Sequence, residues 1–354
     1  MTTPVSNLQA AASLPRWYTP AALLISFSVA MASFTLTGFT NPDGAPNLVA
    51  VGIVGFSLFM VLTYVISRSV EGRRKATDRM VTGWVTAAFS LAVIPLVSLT
   101  WTVVEKGLNR LDVDFFTQSM RNVVGPGGGA LHAIVGTLEL TGIATLISVP
   151  LGIMTAIYLV EYGRGRLAKA VTFFVDVMTG IPSIVAGLFA FSLFLIILGP
   201  ASAINGFAGA VSLAVLMTPV VVRATEEMLK IVPNELREAS YALGVPKWLT
   251  IVKVVIPTAL AGIATGVIIA IARIIGETAP LLLAAGFTTS MNYNPFEEKM
   301  MTLPVFVYTS YAIQGTDVQS YVDRAWAGAL TLMIIVMVLN LVARIISKLF
   351  SPKG

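Results

Sequence analysis

The 354-residue chain has no cysteine, a single histidine, and charged side chains at only 12% of its positions. The missing cysteines exclude disulfide frameworks, thiolate zinc sites and cysteine nucleophiles together, and leave the redox compartment undetermined. One histidine cannot build a His-Glu-x-x-His metal site, which weakens any reading as an intramembrane enzyme. No Gly-Lys-Ser/Thr sequence of the phosphate-cradling type occurs, so nothing in this chain holds nucleotide phosphates in the usual way. Only Arg16 precedes the first apolar run. That run is too long for a signal peptide and has no small-residue cleavage site after it, so the first helix is expected to be retained.

Against this scarcity stands a hydrophobic content of 56%, well outside the usage of soluble domains. A soluble chain of this length would divide into two or three domains, whereas this composition predicts an all-α polytopic membrane protein. About 20 apolar residues cross the roughly 30 Å of hydrocarbon as a helix. Eight stretches approach or exceed that length, near 20–40, 47–67, 81–104, 131–160, 170–198, 206–224, 258–288 and 325–349. Pro95, Pro150, Pro182 and Pro219 fall inside them and read as kinks, since neighbouring helices can satisfy the backbone groups that proline frees.

The net charge of +5 reads as topology and not as affinity for nucleic acid. Basic residues in short loops stay cytoplasmic. Arg68, Arg73, Arg74, Lys75 and Arg79 lie between the second and third spans, Arg164, Arg166 and Lys169 in 161–169, and Arg223, Lys230, Arg237, Lys247 and Lys253 in 223–256. The loops 41–47 and 199–206 have none, and the tail adds Arg344, Lys348 and Lys353. This alternation places both termini in the cytoplasm and two long segments, 105–130 and 289–324, outside, where a vestibule or an external partner could use them. The glycine-rich run from Gly125 to Gly129 has neither a following Lys-Ser/Thr nor a preceding soluble strand, so it reads as a flexible linker and not as a phosphate cradle.

The loop 223–256 is punctuated as two short helices outside the bilayer. Pro233 suits a first helical position and Gly244 a C-terminal cap, giving a helix over 233–243. Pro246 opens a second, which Pro257 is expected to stop before the next span. Leu236, Ala239, Ala242 and Leu243 oppose Glu235, Arg237 and Glu238, so the first helix can rest on one partner and present charge to another. The spacing Glu238-Ala239-Ser240, three residues, Gly244, nine residues, Val254, then Ile256-Pro257 resembles the "EAA" loop of ABC importer permeases, with Ser240, Val254 and Ile256 as mild departures. The alternative is an ordinary amphipathic helix-turn-helix at the membrane surface. In that family the helix docks into a groove on the ATP-hydrolysing subunit, and the resemblance carries this coupling role to Glu238, Ala239, Ser240, Gly244 and Pro257.

Arg273 and Glu277 sit in the seventh apolar stretch. Counted from Ala261, Arg273 lies ~18 Å along a helix rising about 1.5 Å per residue, near mid-bilayer, where an arginine costs roughly 2.5 to 3.5 kcal/mol to insert. On a continuous helix Glu277 shares its face, so an internal salt bridge that only lowers the insertion cost is one reading. The other is that Arg273 lines a pore and meets an oxyanion, because its planar fork matches phosphate oxygens and keeps its charge. The stretch ARIIGETAPLL resembles the corresponding segment of phosphate-specific transport permeases, and Ala279-Pro280 and Leu303 to Tyr311 resemble the A-type subunit more than its C-type partner. The resemblance implies that Arg273, Glu277 and Thr278 serve translocation.

The resemblance spans about residues 80 to 349, a six-helix core of the type I importer class. It divides the chain into 1–79, an added helix pair with a basic linker, and 80–354, a permease domain with a coupling loop at 225–257. It implies a second, C-type permease, two copies of an ATPase subunit and an extracytoplasmic phosphate-binding protein as partners within the lipid bilayer. No cofactor is expected in this chain, ATP and magnesium being held by the ATPase. Sulfate or molybdate permeation and an ion-coupled secondary transporter stand as alternatives. Glu139 and Asp176 could line the same path or pair locally, His132 reads as interfacial, and the methionines read as packing.

Overall fold

The computed structural model describes residues 13–37 and 46–350. The loop at 41–45 and Lys353, both used above to argue topology, lie outside the described residues. Among the described residues seven helices are long and apolar enough to cross a membrane, or eight spans when one bent pair is counted as a span. The chain separates into two compact units, Met1–Thr100 and Trp101–Gly354.

The first unit contains α1 (Tyr18–Thr37), α2 (Leu48–Val70) and most of α3 (Arg73–Gly107). Asn47 caps α2 by accepting from the Val49 and Ala50 N–H groups, both at 3.1 Å. Ala22, Phe59 and Met60 form the buried centre of the α1–α2 contact. α3 follows α2 after only Glu71 and Gly72, so Arg73, Arg74, Lys75 and Arg79 occupy its first two turns and not the loop expected from the hydropathy pattern. Hydropathy marks only the apolar part of a helix that continues past the hydrocarbon. Glu71 closes the turn by accepting from the Leu14 N–H at 2.8 Å, the Ser67 hydroxyl at 2.7 Å and two N–H groups of Arg79 at 2.6 and 2.9 Å. The Arg79 hydrogen bonds lead in holding this carboxyl at about 2, against its ordinary 4.5, and outweigh the opposing effect of burial.

The second unit is built on α5 (Leu131–Ile157) and α8 (Gly206–Ile231), with α4 (Val113–Thr117) ahead of them. Small buried residues, Ala144, Ala210 and Ala214, let these two helices approach, and the Ser148 hydroxyl donates across to the Ala214 carbonyl at 3.1 Å. The stretch 170–198 is not one kinked span: α6 (Gly165–Thr179) and α7 (Ser183–Leu198) meet at 109°. Pro182, which lacks an N–H and disfavours helix in the residue before it, stands at that corner after Gly180.

After α9 (Asn234–Ala242) and α10 (Lys247–Thr250), a π-helical turn at Ile251–Val255 leads straight into α11 (Ile256–Ile274). Pro257 therefore does not stop a helix. It falls in the first turn of α11, where its missing N–H is tolerated. The seventh apolar stretch is interrupted: α11 ends at Ile274, and a short α12 (Ala279–Ala284) follows a four-residue break. The expected external segment 289–324 includes α13 (Leu303–Ala312), whose residues Leu303, Pro304, Val305 and Phe306 are buried, with the Leu303 N–H bonded to the Thr137 hydroxyl at 2.7 Å. α14 runs Val318–Phe350, so Arg324 belongs to a helix and not to a loop.

The glycine run is not a free linker. Arg324, 1% exposed, donates from Nη1 to the carbonyls of Gly125 at 2.7 Å and Gly127 at 3.0 Å, and Arg110 donates to that of Gly128 at 2.7 Å. The run offers carbonyl oxygens to cations, which is the opposite of an anion cradle. His132 is also buried, at 2% exposure, with its ring edge-on to Phe306, and not interfacial as its place beside the glycines suggested.

Candidate functional site

The residues singled out from sequence fall in two places, at opposite ends of one long helix. The first is the turn between α9 and α10. Gly244 has φ +76°, a left-handed conformation that a side chain resists, and it closes α9 as a C-cap through its N–H to the Tyr241 carbonyl at 2.9 Å. Ser240, which stands where the motif has its second alanine, is buried and its hydroxyl meets that of Thr250 at 2.8 Å, joining α9 to α10. Glu238 and Ala239 are exposed, as are Leu236, Tyr241, Leu243 and Trp248. Leu243, just past the end of α9, is 83% exposed, so among the described residues nothing covers the apolar side of this helix.

A buried knot that sequence reasoning missed holds this turn to the rest of the unit. Arg237 lies with its fork against Glu161, with Oε1 3.0 Å from both Nε and Nη2, and also donates to the carbonyls of Val232 at 2.6 Å and Leu229 at 2.9 Å. Lys247 donates to the backbone carbonyl of Glu161 and stands over the Tyr162 ring at 4.9 Å. Glu161 belongs to a π-helical turn, Tyr158–Tyr162, that prolongs α5. The one available signal was its being the lone acid in the otherwise basic segment 161–169.

The polar residues at the end of α8 form a second cluster. Arg223, assigned to a loop from sequence, lies inside α8 and bridges Asp176 of α6 and Glu226, the latter at 2.7 Å, while Lys230 meets Glu226 at 2.7 Å. Asp176 is thereby ion-paired to a neighbouring helix, not paired locally on its own. Glu139 is partly buried, and its Oε2 has no hydrogen-bond partner.

The second place is the break after α11. Arg273 is exposed in the last turn of that helix, and Glu277 and Thr278 are half-buried in the break. Glu277 is outside the helix, its N–H bonded to the Ile274 carbonyl at 3.1 Å, so the expected same-face pair does not form. Among the described ion pairs none joins Arg273 to Glu277. The Thr278 carbonyl accepts from the Leu282 N–H at 2.9 Å and so starts α12. α12 is then locked in place because Pro280 rests on Gly187 of α7, where an added Cβ would stand 2.6 Å from the proline Cα. Among the described residues no group of three His, Cys, Asp or Glu is placed to hold a metal ion.

A multi-pass helical bundle that presents an ordered, uncovered helix-turn-helix between two spans has the architecture of a transport permease subunit. Residues 148–353 match the family described as "Binding-protein-dependent transport system inner membrane component". The chain is 46% identical over 285 residues to the phosphate transport system permease protein PstA 1 of Mycobacterium tuberculosis (strain CDC 1551 / Oshkosh), covering 80% of this chain and 92% of that one. It is 39% identical to PstA of Haemophilus influenzae, covering 77% and 94% respectively. The chain belongs to the binding-protein-dependent inner membrane components and, within them, to the PstA phosphate transport permeases.

Among solved structures it is similar to the inward-facing MetNI methionine ABC transporter, with a TM-score of 0.52 and 20% identity over 63% of this chain and 96% of that one. It is also similar to a bacterial alginate ABC transporter crystallised with its periplasmic protein, with a TM-score of 0.55 and 17% identity over 78% and 98%. At these identities the likeness shows the fold alone, that of an ABC importer permease. The chain is thus a permease component and not an enzyme; ATP hydrolysis belongs to partner subunits.

Proposed function

We propose that this chain is the A-type permease subunit of an ATP-driven importer that carries inorganic phosphate into the cytoplasm by alternating access. The observation that carries the substrate is the 46% identity to a phosphate transport permease over 92% of that protein's length. In this reading residues 80–354 are the permease domain and 1–79 an added helix pair with its linker. A C-type permease supplies the other half of the pore, two copies of an ATPase subunit drive it, and an extracytoplasmic binding protein delivers phosphate. Both termini and the coupling loop face the cytoplasm, as the distribution of basic residues supports.

The exposed face of α9, with Glu238 and Leu243, meets the ATPase. Two rigid connections carry its movement inward. Arg237 and Glu161 tie α9 to the end of α5, and Ser240 with Thr250 ties it to the 28-residue run Lys247–Ile274. At about 1.5 Å per residue that run is a lever of ~42 Å. Its far end carries Arg273 and the break at 275–278. Irregular backbone at membrane depth is tolerated only where protein buries it or water lines it, and a charged, exposed Arg273 beside such a break fits a water-filled path. There its guanidinium meets phosphate oxygens, with Glu277 and Thr278 beside it.

The test is uptake of labelled phosphate in a strain lacking this chain. Reintroducing the chain with its partner subunits should restore phosphate uptake and leave sulfate and molybdate uptake unchanged; restoration of another oxyanion in its place overturns the substrate.

A further inference from the structure

The first unit holds a cleft of about 900 Å³ between the α1–α2 pair and α3. Its lining changes character along the helices. Glu71, Lys75 and Arg79 stand at one end, and Phe27, Phe56 and Ile94 are among the residues lining its apolar length. From Arg79 to Ile94 is ~22 Å at about 1.5 Å per residue, close to a polar headgroup plus half of a roughly 30 Å hydrocarbon layer. A space this large between membrane helices is filled by lipid or by protein, because close packing leaves few voids larger than a water molecule.

We propose that this cleft takes one membrane phospholipid with an anionic headgroup. Three features favour a lipid over a protein helix. The polarity is graded from one end to the other, as in a lipid and unlike the face of a spanning helix. Thr63 lines the cleft two turns from Glu71, is 4% exposed, and its hydroxyl has no hydrogen-bond partner, which leaves a donor at the depth of ester carbonyls. The charges lining the mouth balance, Glu71 paired with Arg79 and Lys75 set against Asp78, while the adjoining Arg73 and Arg74 are exposed and give this end of α3 an excess of positive charge. A basic cluster at a helix end selects anionic headgroups. The acyl chain lies between the aromatic rings of α1 and α2 and the Gly83, Ala87, Leu91 and Ile94 positions of α3, with the short hydroxyl side chains of Thr82, Thr86 and Ser90 beside them.

Gly52 and Ala87 line opposite walls, and a Cβ added at Gly52 meets nothing within 4 Å. A larger side chain at Gly52 therefore enters the cleft without displacing backbone, and one at Ala87 extends into it from the facing wall. The assembled complex is purified from membranes containing phosphatidylglycerol and phosphatidylcholine, exchanged through detergent, and its retained lipid measured by native mass spectrometry. We expect about one phosphatidylglycerol per copy of this chain in the unmodified complex, at least fivefold less in Gly52→Leu and in Ala87→Phe, and loss of the preference over phosphatidylcholine in Lys75→Gln with Arg74→Gln. Equal retention of the two lipids by the unmodified complex, undiminished phosphatidylglycerol in whichever cleft-filling variant assembles, or cysteine cross-links from position 52 to a partner subunit in place of bound lipid would each overturn the proposal.

Discussion

Removing the Glu161 carboxylate is expected to loosen the coupling turn without unfolding the membrane spans. The Glu161 side chain is 5% exposed and that of Arg237 12%, so their attraction is little screened. Breaking a buried pair by removing one partner costs roughly 3 to 5 kcal/mol, because the other charge is left uncompensated. Arg237 keeps its bonds to the Val232 and Leu229 carbonyls, which places the Glu161→Ala cost at the low end, about 3 kcal/mol. Since 1.4 kcal/mol is tenfold in population, α9 should detach on the order of 100 times more often. Hydrogen exchange over residues 232–246 of the assembled complex should accelerate accordingly, while α5 and α8 stay protected. Phosphate moved per ATP hydrolysed should fall. Arg237→Met combined with Glu161→Ala should recover part of the loss, because no unpaired charge remains. Exchange that rises by less than threefold in Glu161→Ala, with unchanged coupling, refutes this account of how the turn is held.

Four other outcomes are expected. Gly244→Val forces a β-branched side chain into φ +76° and should weaken ATPase copurification at least tenfold while leaving the spans inserted. Arg273→Gln should abolish phosphate uptake in an assembled complex, and Glu277→Gln should leave it measurable, since no ion pair makes the two interdependent; normal uptake by Arg273→Gln removes the arginine from the path. A single cysteine at Ser69 should resist a membrane-impermeant thiol reagent in intact cells while one at Ser119 reacts, and the reverse pattern overturns the orientation. Glu71 is held at about 2 in the folded protein against 4.5, so its stabilising contribution is complete above pH 4.5 and lost as pH falls towards 2. The difference in melting temperature between the unmodified chain and Glu71→Gln should therefore shrink over that window; a difference that is flat from pH 7 to 3 counts against the Glu71–Arg79 clasp.

Much of this protein follows from local chemistry. The number of spans and the all-α class follow from the length of apolar runs, because hydrocarbon leaves a backbone no other partners than its own. The helix α9 and its glycine stop were equally legible, since Pro233 and Gly244 act through their own backbones. The family could be read from Glu238 to Pro257 and from the stretch around Arg273 for the same reason: these are short segments whose residue order is itself the signal.

What escaped the sequence depends on groups distant along the chain. Hydropathy does not distinguish a straight span from two helices meeting at 109°, so the corner at Pro182 passed as a kink. It also hid the end of α11 at Ile274, because a window long enough to detect a span averages Gly276, Glu277 and Thr278 with the apolar helices on either side, and with it went the supposed Arg273–Glu277 pair. The knot of Glu161 with Arg237 and the capture of the glycine run by Arg324 join residues 76 and nearly 200 positions apart. In each case a buried charge had to find its compensating partner, and only the packing of α5 against α8 and of the helices around them decides which partner lies within reach.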